Sequence, residues 1–139
     1  MPLKLKYLDE GRGAVAKASG RLTGAELIDI MTKVNAPGPA GKRIVYAFFD
    51  FNGVEGVDIS TPQLRDAAAI SVAVATDGSS GRVVAIHAKD DLPFALSRMW
   101  LVFIEQTGWE AMVFRERSKA VAWLRDRVAG RFGIKITLK

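Results

Sequence analysis

The chain has 139 residues, of which 49% are hydrophobic and 25% are charged, and its formal net charge is +5. This length suits a single domain with its own core, which we expect to span residues 1–139. The absence of cysteine excludes disulfides, thiolate metal sites and a cysteine nucleophile.

The N-terminal part predicts a hairpin followed by a helix. Leu3–Leu8 and Ala14–Ser19 have strand character and flank the turn sequence DEGRG. Thr23 and Glu26 have the spacing of a capping box, in which each side chain binds a free backbone N–H at the helix start. The inner face of this helix has helical spacing and comprises Leu27, Ile30, Met31 and Val34. The Pro/Gly-rich stretch Asn35–Lys42 predicts a surface loop.

The middle of the chain predicts two buried strands with a helix between them. Arg43–Phe51 is a nearly continuous apolar run, typical of a strand buried on both faces. We expect a loop over residues 52–58, and then a helix that Ser60 caps and that ends near Thr76. Arg82–Ala88 predicts the second buried strand.

The C-terminal part predicts two more helices and a short strand. Asp90 or Asp91 caps a third helix that ends near the sequence QTG, and Glu110–Phe114 follows as a strand. Ser118 caps a fourth helix, and the alternating tail at residues 134–139 predicts an additional edge strand. The inner face of the fourth helix comprises Val121, Leu124 and Val128.

Strands that alternate with helices predict β-α-β units with right-handed crossovers. The N-terminal hairpin makes the sheet mixed. We therefore predict an α/β domain with a mixed sheet of about five strands, covered by about four helices.

The third helix is too apolar for a surface helix. Asp91, Arg98 and Glu105 share one narrow polar stripe. The apolar residues cover an arc of about 200°, whereas a surface helix needs only about 100°. That arc comprises Leu92, Leu96, Met99, Trp100, Leu101, Phe103 and Ile104.

The second helix is also rich in apolar residues, because Ser71 is the one polar residue in Ala67–Ala75. The two helices could pack on each other, form a homodimer face, bind a partner or a membrane, or enclose an apolar ligand. The candidate binding residues are Phe94, Leu96, Met99, Trp100 and Phe103 of the third helix, and Ile70 and Val74 of the second.

Catalytic chemistry has little support in the sequence. His87 lies at the end of a predicted strand, and Asp50, Asp58, Asp90 and Asp91 lie near the same sheet edge, where carboxylates could hold Mg²⁺. Ser60 or Ser97 could pair with His87 as a nucleophile. No nucleophile elbow, phosphate loop or zinc spacing occurs, and aspartates at these positions usually cap turns and helices. We therefore expect no enzyme activity, no metal and no cofactor.

The basic excess after Arg115 raises the question of nucleic acid as a partner. No aromatic residues interleave with these charges as a base-stacking platform requires. We do not expect nucleic acid as a partner. Because no apolar run reaches the length of a membrane span and the N-terminus has no signal-peptide core, we expect a cytoplasmic protein or one at the membrane periphery.

Four stretches occur in an order that resembles a known family. They are GRLTGAEL, FFDF, RVVAIHAKDDLPFALSRM and VFRERSKAVAWL, between Gly20 and Leu124. Together they resemble the SpoIIAA-like branch of the STAS-type domains, which is also similar to the lipid-binding CRAL-TRIO fold. The resemblance implies a non-enzymatic bacterial domain that binds apolar ligands or membranes, or else a regulatory protein partner.

The resemblance also implies a phosphorylation site. Anti-sigma-factor antagonists of this wider group carry a phosphorylated serine directly after an aspartate that follows the third strand. Here Asp58 matches, but Ile59 stands at the serine position, so Ser60 and Thr61 are the candidate phosphosites. Ser60 as a plain helix cap is the simpler interpretation.

Overall fold

The structure is a computed structural model and describes residues 3–38, 41–76 and 81–139. Parts of two predicted loops, at residues 39–40 and 77–80, lie outside the described residues. The elements are β1 Leu3–Leu8, β2 Gly13–Thr23, α1 Gly24–Asn35, β3 Tyr46–Asp58, α2 Thr61–Thr76, β4 Val83–His87, α3 Asp91–Phe103, a 3-10 turn Glu105–Thr107, β5 Glu110–Phe114 and α4 Arg117–Phe132.

The strands form one sheet in the order β1-β2-β3-β4-β5. β1 pairs antiparallel with β2, and the later neighbours pair in parallel. The predicted mixed sheet, its N-terminal hairpin and its α/β class are confirmed. The carboxyl ends of the parallel strands meet at one sheet edge, where α/β proteins usually place their ligands.

Strand alternation gives the sheet two buried faces. On the three-helix face, Ala47 and Phe49 of β3 and Val84 of β4 pack against α1, α2 and α3. On the α4 face, Tyr46 and Phe48 of β3 pack with α4 and the C-terminal tail. Both faces of the central strands are therefore removed from water, which explains their nearly continuous apolar sequence.

The predicted capping box at the start of α1 is confirmed. Glu26 N donates to Thr23 Oγ1 at 3.2 Å, and Thr23 N donates to Glu26 Oε1 at 3.0 Å. The four predicted inner residues of α1 are all buried.

β3 is longer than predicted. The expected loop at residues 52–58 is wrong, because β3 continues to Asp58 and β2 continues beside it to Thr23. Val54 of this extension packs with Ala18 and Leu22 of β2 in a small separate cluster. The pairing of two distant segments thus overrides the loop character of Gly53 and Gly56.

The C-terminal tail is a second correction, because residues 134–139 form no strand within the described chain. Ile136 and Leu138 are instead buried against α4. Arg125 Nη2 donates to Leu138 O at 2.6 Å, and Arg117 Nη2 donates to Lys139 O at 2.7 Å. The alternating pattern reflects one side of an extended segment that packs on a helix.

The predicted N-cap position of α3 is confirmed, whereas that of α4 differs from prediction. Asp90 takes the N-cap position of α3, although its side chain makes no capping hydrogen bond in the described structure. The N-cap of α4 is Glu116 and not Ser118, which lies inside the first turn. The helix starts earlier because Ala120 N already donates to Glu116 O, at 3.2 Å.

Candidate functional site

Trp100, the candidate at the centre of the apolar arc, belongs to the core. Its side chain is 5% exposed and lies edge-on to Phe49 with ring centroids 6.2 Å apart. It packs on the three-helix face together with Ile104. Trp100 therefore anchors α3 to the sheet and presents no surface to a partner.

Two phenylalanines of α3 lie beneath arginines from other elements. Arg115 Cζ is 4.2 Å from the centroid of Phe94, and Arg65 Cζ is 4.7 Å from that of Phe103. Both rings are half-buried. A guanidinium over an aromatic face is attracted to it. These contacts shield part of the apolar arc without help from a second molecule.

A line of α3 residues remains open to solvent. Leu92 is 54% exposed, Met99 37% and Val102 64%. Ala95 lies between them and is exposed too. Successive members are three, four and three residues apart, which places them along one side of the helix. We call these four residues the α3 stripe.

Most of the predicted binding residues are thus buried or half-buried. Met99 is the one predicted candidate that lies on the α3 stripe, and Leu96 is half-buried beside a cavity. Sequence reasoning missed Ala95 and Val102 as surface residues. Ala95 lies four residues after Asp91, and Val102 lies four residues after Arg98. This helical spacing places them beside polar residues and could have indicated that they are exposed.

The α2 candidates point inward. Val74 is buried and Ile70 is half-buried on the three-helix face. α2 packs closely on α1, where Asn35 Nδ2 lies 3.4 Å from Ser71 Oγ, and it touches α3 as well. The apolar surplus of α2 is therefore absorbed by α1, α3 and the sheet.

An apolar cavity lies between the three helices and the sheet, with a volume of about 40 Å³. Leu96, Trp100, Phe49 and Ile59 are among the residues that line it. Ser97 also lines it, but its hydroxyl donates to Pro93 O at 2.7 Å within α3. A small apolar group fits this space, whereas a drug-sized ligand needs about 300 Å³ or more.

Ser60 lies at the exposed start of α2. Gln63 N donates to Ser60 Oγ at 3.2 Å, and Ser60 N donates to Gln63 Oε1 at 2.9 Å. This is a second capping box, and the predicted cap is confirmed. Thr61 follows as the first helical residue and is exposed. Ile59 points into the apolar cavity and packs in the core clusters.

Asp50 and His87 lie together on the α4 face, and both are buried. Asp50 Oδ1 accepts from Asn52 N at 3.0 Å, and its Oδ2 accepts from Arg117 Nη1 at 3.3 Å. His87 Nδ1 is 3.3 Å from Asp50 Oδ1 but is not aligned for a hydrogen bond. Ser97 packs on the opposite sheet face, so the suggested pairing with His87 does not occur.

The other aspartates of the suggested metal site face solvent. Asp58 lies 3.7 Å from Arg21, and Asp91 lies 2.8 Å from Arg115. Among the residues that the structure describes, no three His, Asp or Glu side chains come close enough to hold a metal ion. The Asp50 carboxylate instead connects β3 to Arg117 and, through it, to the C-terminal tail.

In the described ranges, no helix is both long enough and apolar enough to cross a bilayer. This agrees with the division of α3 into a buried side and a narrow exposed stripe.

No profile of a known protein family matches the chain, and no curated protein sequence matches it either. The structure is similar to that of an uncharacterized protein from the DUF3478 family with a SpoIIAA-like fold, from Shewanella loihica PV-4. The identity is 23%, the TM-score is 0.50, and the match covers 88% of this chain and 91% of that one.

It is also similar to the anti-sigma factor antagonist SpoIIAA in its unphosphorylated form. Here the identity is 15%, the TM-score is 0.52, and the match covers 92% of this chain and 98% of that one. The further resemblance to CRAL-TRIO proteins stays a prediction. The fold expected from the four sequence motifs is confirmed, and this chain has a SpoIIAA-like α/β fold.

Proposed function

We propose that the protein is a non-enzymatic interaction module of the anti-sigma-factor-antagonist type, and that a protein partner docks on the α3 stripe. The observation that carries this proposal is the position of the exposed apolar side chains. Four large ones are exposed among the described residues, and Leu92, Met99 and Val102 all lie on α3. Concentrated exposed apolar surface is typical of an interaction site.

The composition of the stripe favours a protein over a bilayer. Asp91, Arg98 and Glu105 lie along one side of it, so its border carries charges of both signs. A membrane-bound helix usually carries a cationic polar face and large apolar side chains such as Trp or Phe. Here Phe94 and Phe103 are covered by arginines. An apolar centre with a polar rim is instead the usual anatomy of a protein interface.

The non-enzymatic part of the proposal has its own support. The carboxylate of Asp50 already accepts hydrogen bonds from Asn52 and Arg117. His87 lies buried beside it, and Ser97 packs on the opposite face of the sheet, so these two residues do not pair to generate a nucleophile. These polar groups hold β3, α4 and the tail together.

A position-specific cross-linking experiment tests the proposal. A photoreactive benzoylphenylalanine replaces Val102 on the stripe or, as a matched control, Ala122 on the exposed side of α4. We expect a stoichiometric adduct with one protein from Val102 and none from Ala122. A Leu92→Glu change in the same chain should abolish that adduct while the protein keeps its melting temperature.

The proposal fails if adducts form equally from both positions, or if none forms from either. An adduct between two copies of the chain would identify the stripe as a homodimer face and would also contradict it. Binding of the protein to anionic vesicles that Leu92→Glu abolishes would identify a membrane surface instead.

A second candidate function, binding of a small apolar ligand, is supported by the apolar cavity beneath α3. At about 40 Å³ the cavity holds only a small group, so a lipid would require α2 or α3 to move away from the sheet. Leu96→Trp would fill this space. Mass spectrometry of extracts should then find a bound lipid in the wild type but not in Leu96→Trp; its absence from both would contradict this function.

A further inference from the structure

Arg82 is a buried cation at the start of β4. Its side chain lies on the three-helix face with only 2% of its surface exposed. Nη1 donates to the side-chain oxygen of Asn35 at 2.7 Å, and Cζ lies 4.4 Å from the ring centroid of Trp109. Among the described residues, its close partners are thus a neutral amide and an aromatic ring, and neither carries a full negative charge.

Several N–H donors in this region lack an acceptor. Nε and Nη2 of Arg82 and Nε1 of Trp100 are buried without a hydrogen-bond partner among the described residues. Both side chains line one small cavity of about 10 Å³, together with Asn35 and Ser71. None of the described Asp or Glu residues lines this cavity. Donors left without acceptors in a buried site are destabilising, because each has lost its hydrogen bonds to water.

The buried positive charge of Arg82 also destabilises the folded state, because it has lost its hydration. Burial, and next the charge of Arg43, lower the pKa of Arg82 to about 10. Asn35 is the last residue of α1, so the negative end of that helix faces the guanidinium and offsets part of the charge. A helix end carries about half a unit charge, so the described residues leave the remainder without compensation.

We propose that this cavity is an internal site for one monatomic anion, a halide such as chloride, held between Arg82 and the indole N–H of Trp100. The donor set requires an acceptor, and the buried positive charge favours an anionic one. The volume is about that of one water-sized sphere, which excludes phosphate, sulfate and larger carboxylates. A water molecule would fit the volume of the cavity, but it would not compensate the positive charge of Arg82.

The site would connect the core to the elements that surround it. Asn35 belongs to α1, Ser71 to α2 and Trp100 to α3, so a bound anion would help fix all three helices over the sheet. This role is independent of the α3 stripe, because Trp100 faces away from the exposed side of the helix.

Thermal unfolding in matched salts tests the proposal. The wild-type melting temperature is measured in sodium chloride, sodium bromide and sodium gluconate at equal ionic strength. At a halide concentration about ten times the Kd we expect a rise of about 4 °C that gluconate does not produce. Arg82→Gln should remove this halide dependence, whereas Arg98→Gln, at an exposed position on α3, should keep it.

Crystals of the wild-type protein soaked in sodium bromide provide a readout that does not depend on the stability of a variant. An anomalous bromide peak within hydrogen-bonding reach of Arg82 and Trp100 Nε1 would support the site. A water molecule at this position without anomalous signal, or equal melting temperatures in chloride and gluconate, would overturn it.

Discussion

At the scale of single residues, Ser60 shows how a hydroxyl near a suggested phosphorylation position can have a structural role. Its Oγ accepts the hydrogen bond of Gln63 N, and Gln63 returns one to Ser60 N. Ile59, which stands where the sequence resemblance predicts the phosphoserine of the antagonists, lines the apolar cavity. A phosphate at Ile59 is impossible, and one on Ser60 would replace the cap.

We therefore predict that Ser60→Ala lowers the free energy of unfolding by about 1 kcal/mol, because α2 loses its N-cap. Thr61→Ala, at the neighbouring exposed hydroxyl, should change it by less than about 0.5 kcal/mol. Urea denaturation followed by circular dichroism measures both. Equal effects of the two substitutions would contradict the role of Ser60 as the cap.

Tyr46 is the residue whose ionisation the fold opposes most clearly. Burial and the hydrogen bond from its hydroxyl to Asp9 raise the pKa of Tyr46 above its ordinary value. The folded state thus holds the phenol proton more tightly than the unfolded state does. Its contribution to stability is complete below the unfolded pKa of about 10 and is lost as the pH rises above it.

Alkaline titration followed by tyrosinate absorbance checks this expectation. The absorbance step that is present in the wild type and missing in Tyr46→Phe should coincide with unfolding, as monitored by circular dichroism. If that step occurs in the folded protein near pH 10, the environment assigned to Tyr46 is wrong.

At the scale of the secondary-structure elements, α3 has a buried side and an exposed side. Trp100 holds the inner side to the sheet, and Val102 belongs to the exposed stripe. We predict that Trp100→Ala lowers the free energy of unfolding by about 3–5 kcal/mol, because it opens a large cavity. Val102→Ala should cost less than about 0.5 kcal/mol. Similar costs for both, measured by denaturation, would show that the helix is rotated from the orientation described here.

The elements also show what the sequence can predict. The N-caps of α1 and α2 were predicted correctly, because each depends on residues only three positions apart. The extension of β3 to Asp58 was missed, because it depends on pairing with β2, far away in the chain. The periodicity of α3 revealed an excess of apolar residues, but the exposed side depends on the rotation of the helix. Arg65 and Arg115, which cover two of its rings, come from other elements.

At the scale of the whole molecule, the C-terminal tail completes the α4 face of the sheet. Ile136 and Leu138 are buried there, and Arg117 connects the tail to Asp50 inside the protein. We predict that Leu138→Ala lowers the free energy of unfolding by about 2–4 kcal/mol. Lys135→Ala, at an exposed position of the same tail, should have almost no effect. Urea denaturation measures both changes. If the two substitutions had equally small effects, the tail would contribute nothing to stability.

The molecule thus combines a SpoIIAA-like framework with the proposed recognition surface on α3. The core residues of α3, the capped start of α2 and the tail maintain the framework, and the α3 stripe is the surface that we propose for binding. This separation implies that substitutions on the stripe change binding without changing stability. The affinity for the partner protein is therefore enough to test docking on the α3 stripe, once the folding of each variant has been verified.

The most direct measurement is the Kd of the cross-linked partner, determined by titration calorimetry with wild type, Val102→Glu and Ala122→Glu. A charge placed in the centre of an apolar interface should raise Kd at least about tenfold for Val102→Glu, a loss of about 1.4 kcal/mol. Ala122→Glu should bind as the wild type does, and all three proteins should keep the same melting temperature. An unchanged Kd for Val102→Glu would contradict the assignment of the α3 stripe as the docking surface.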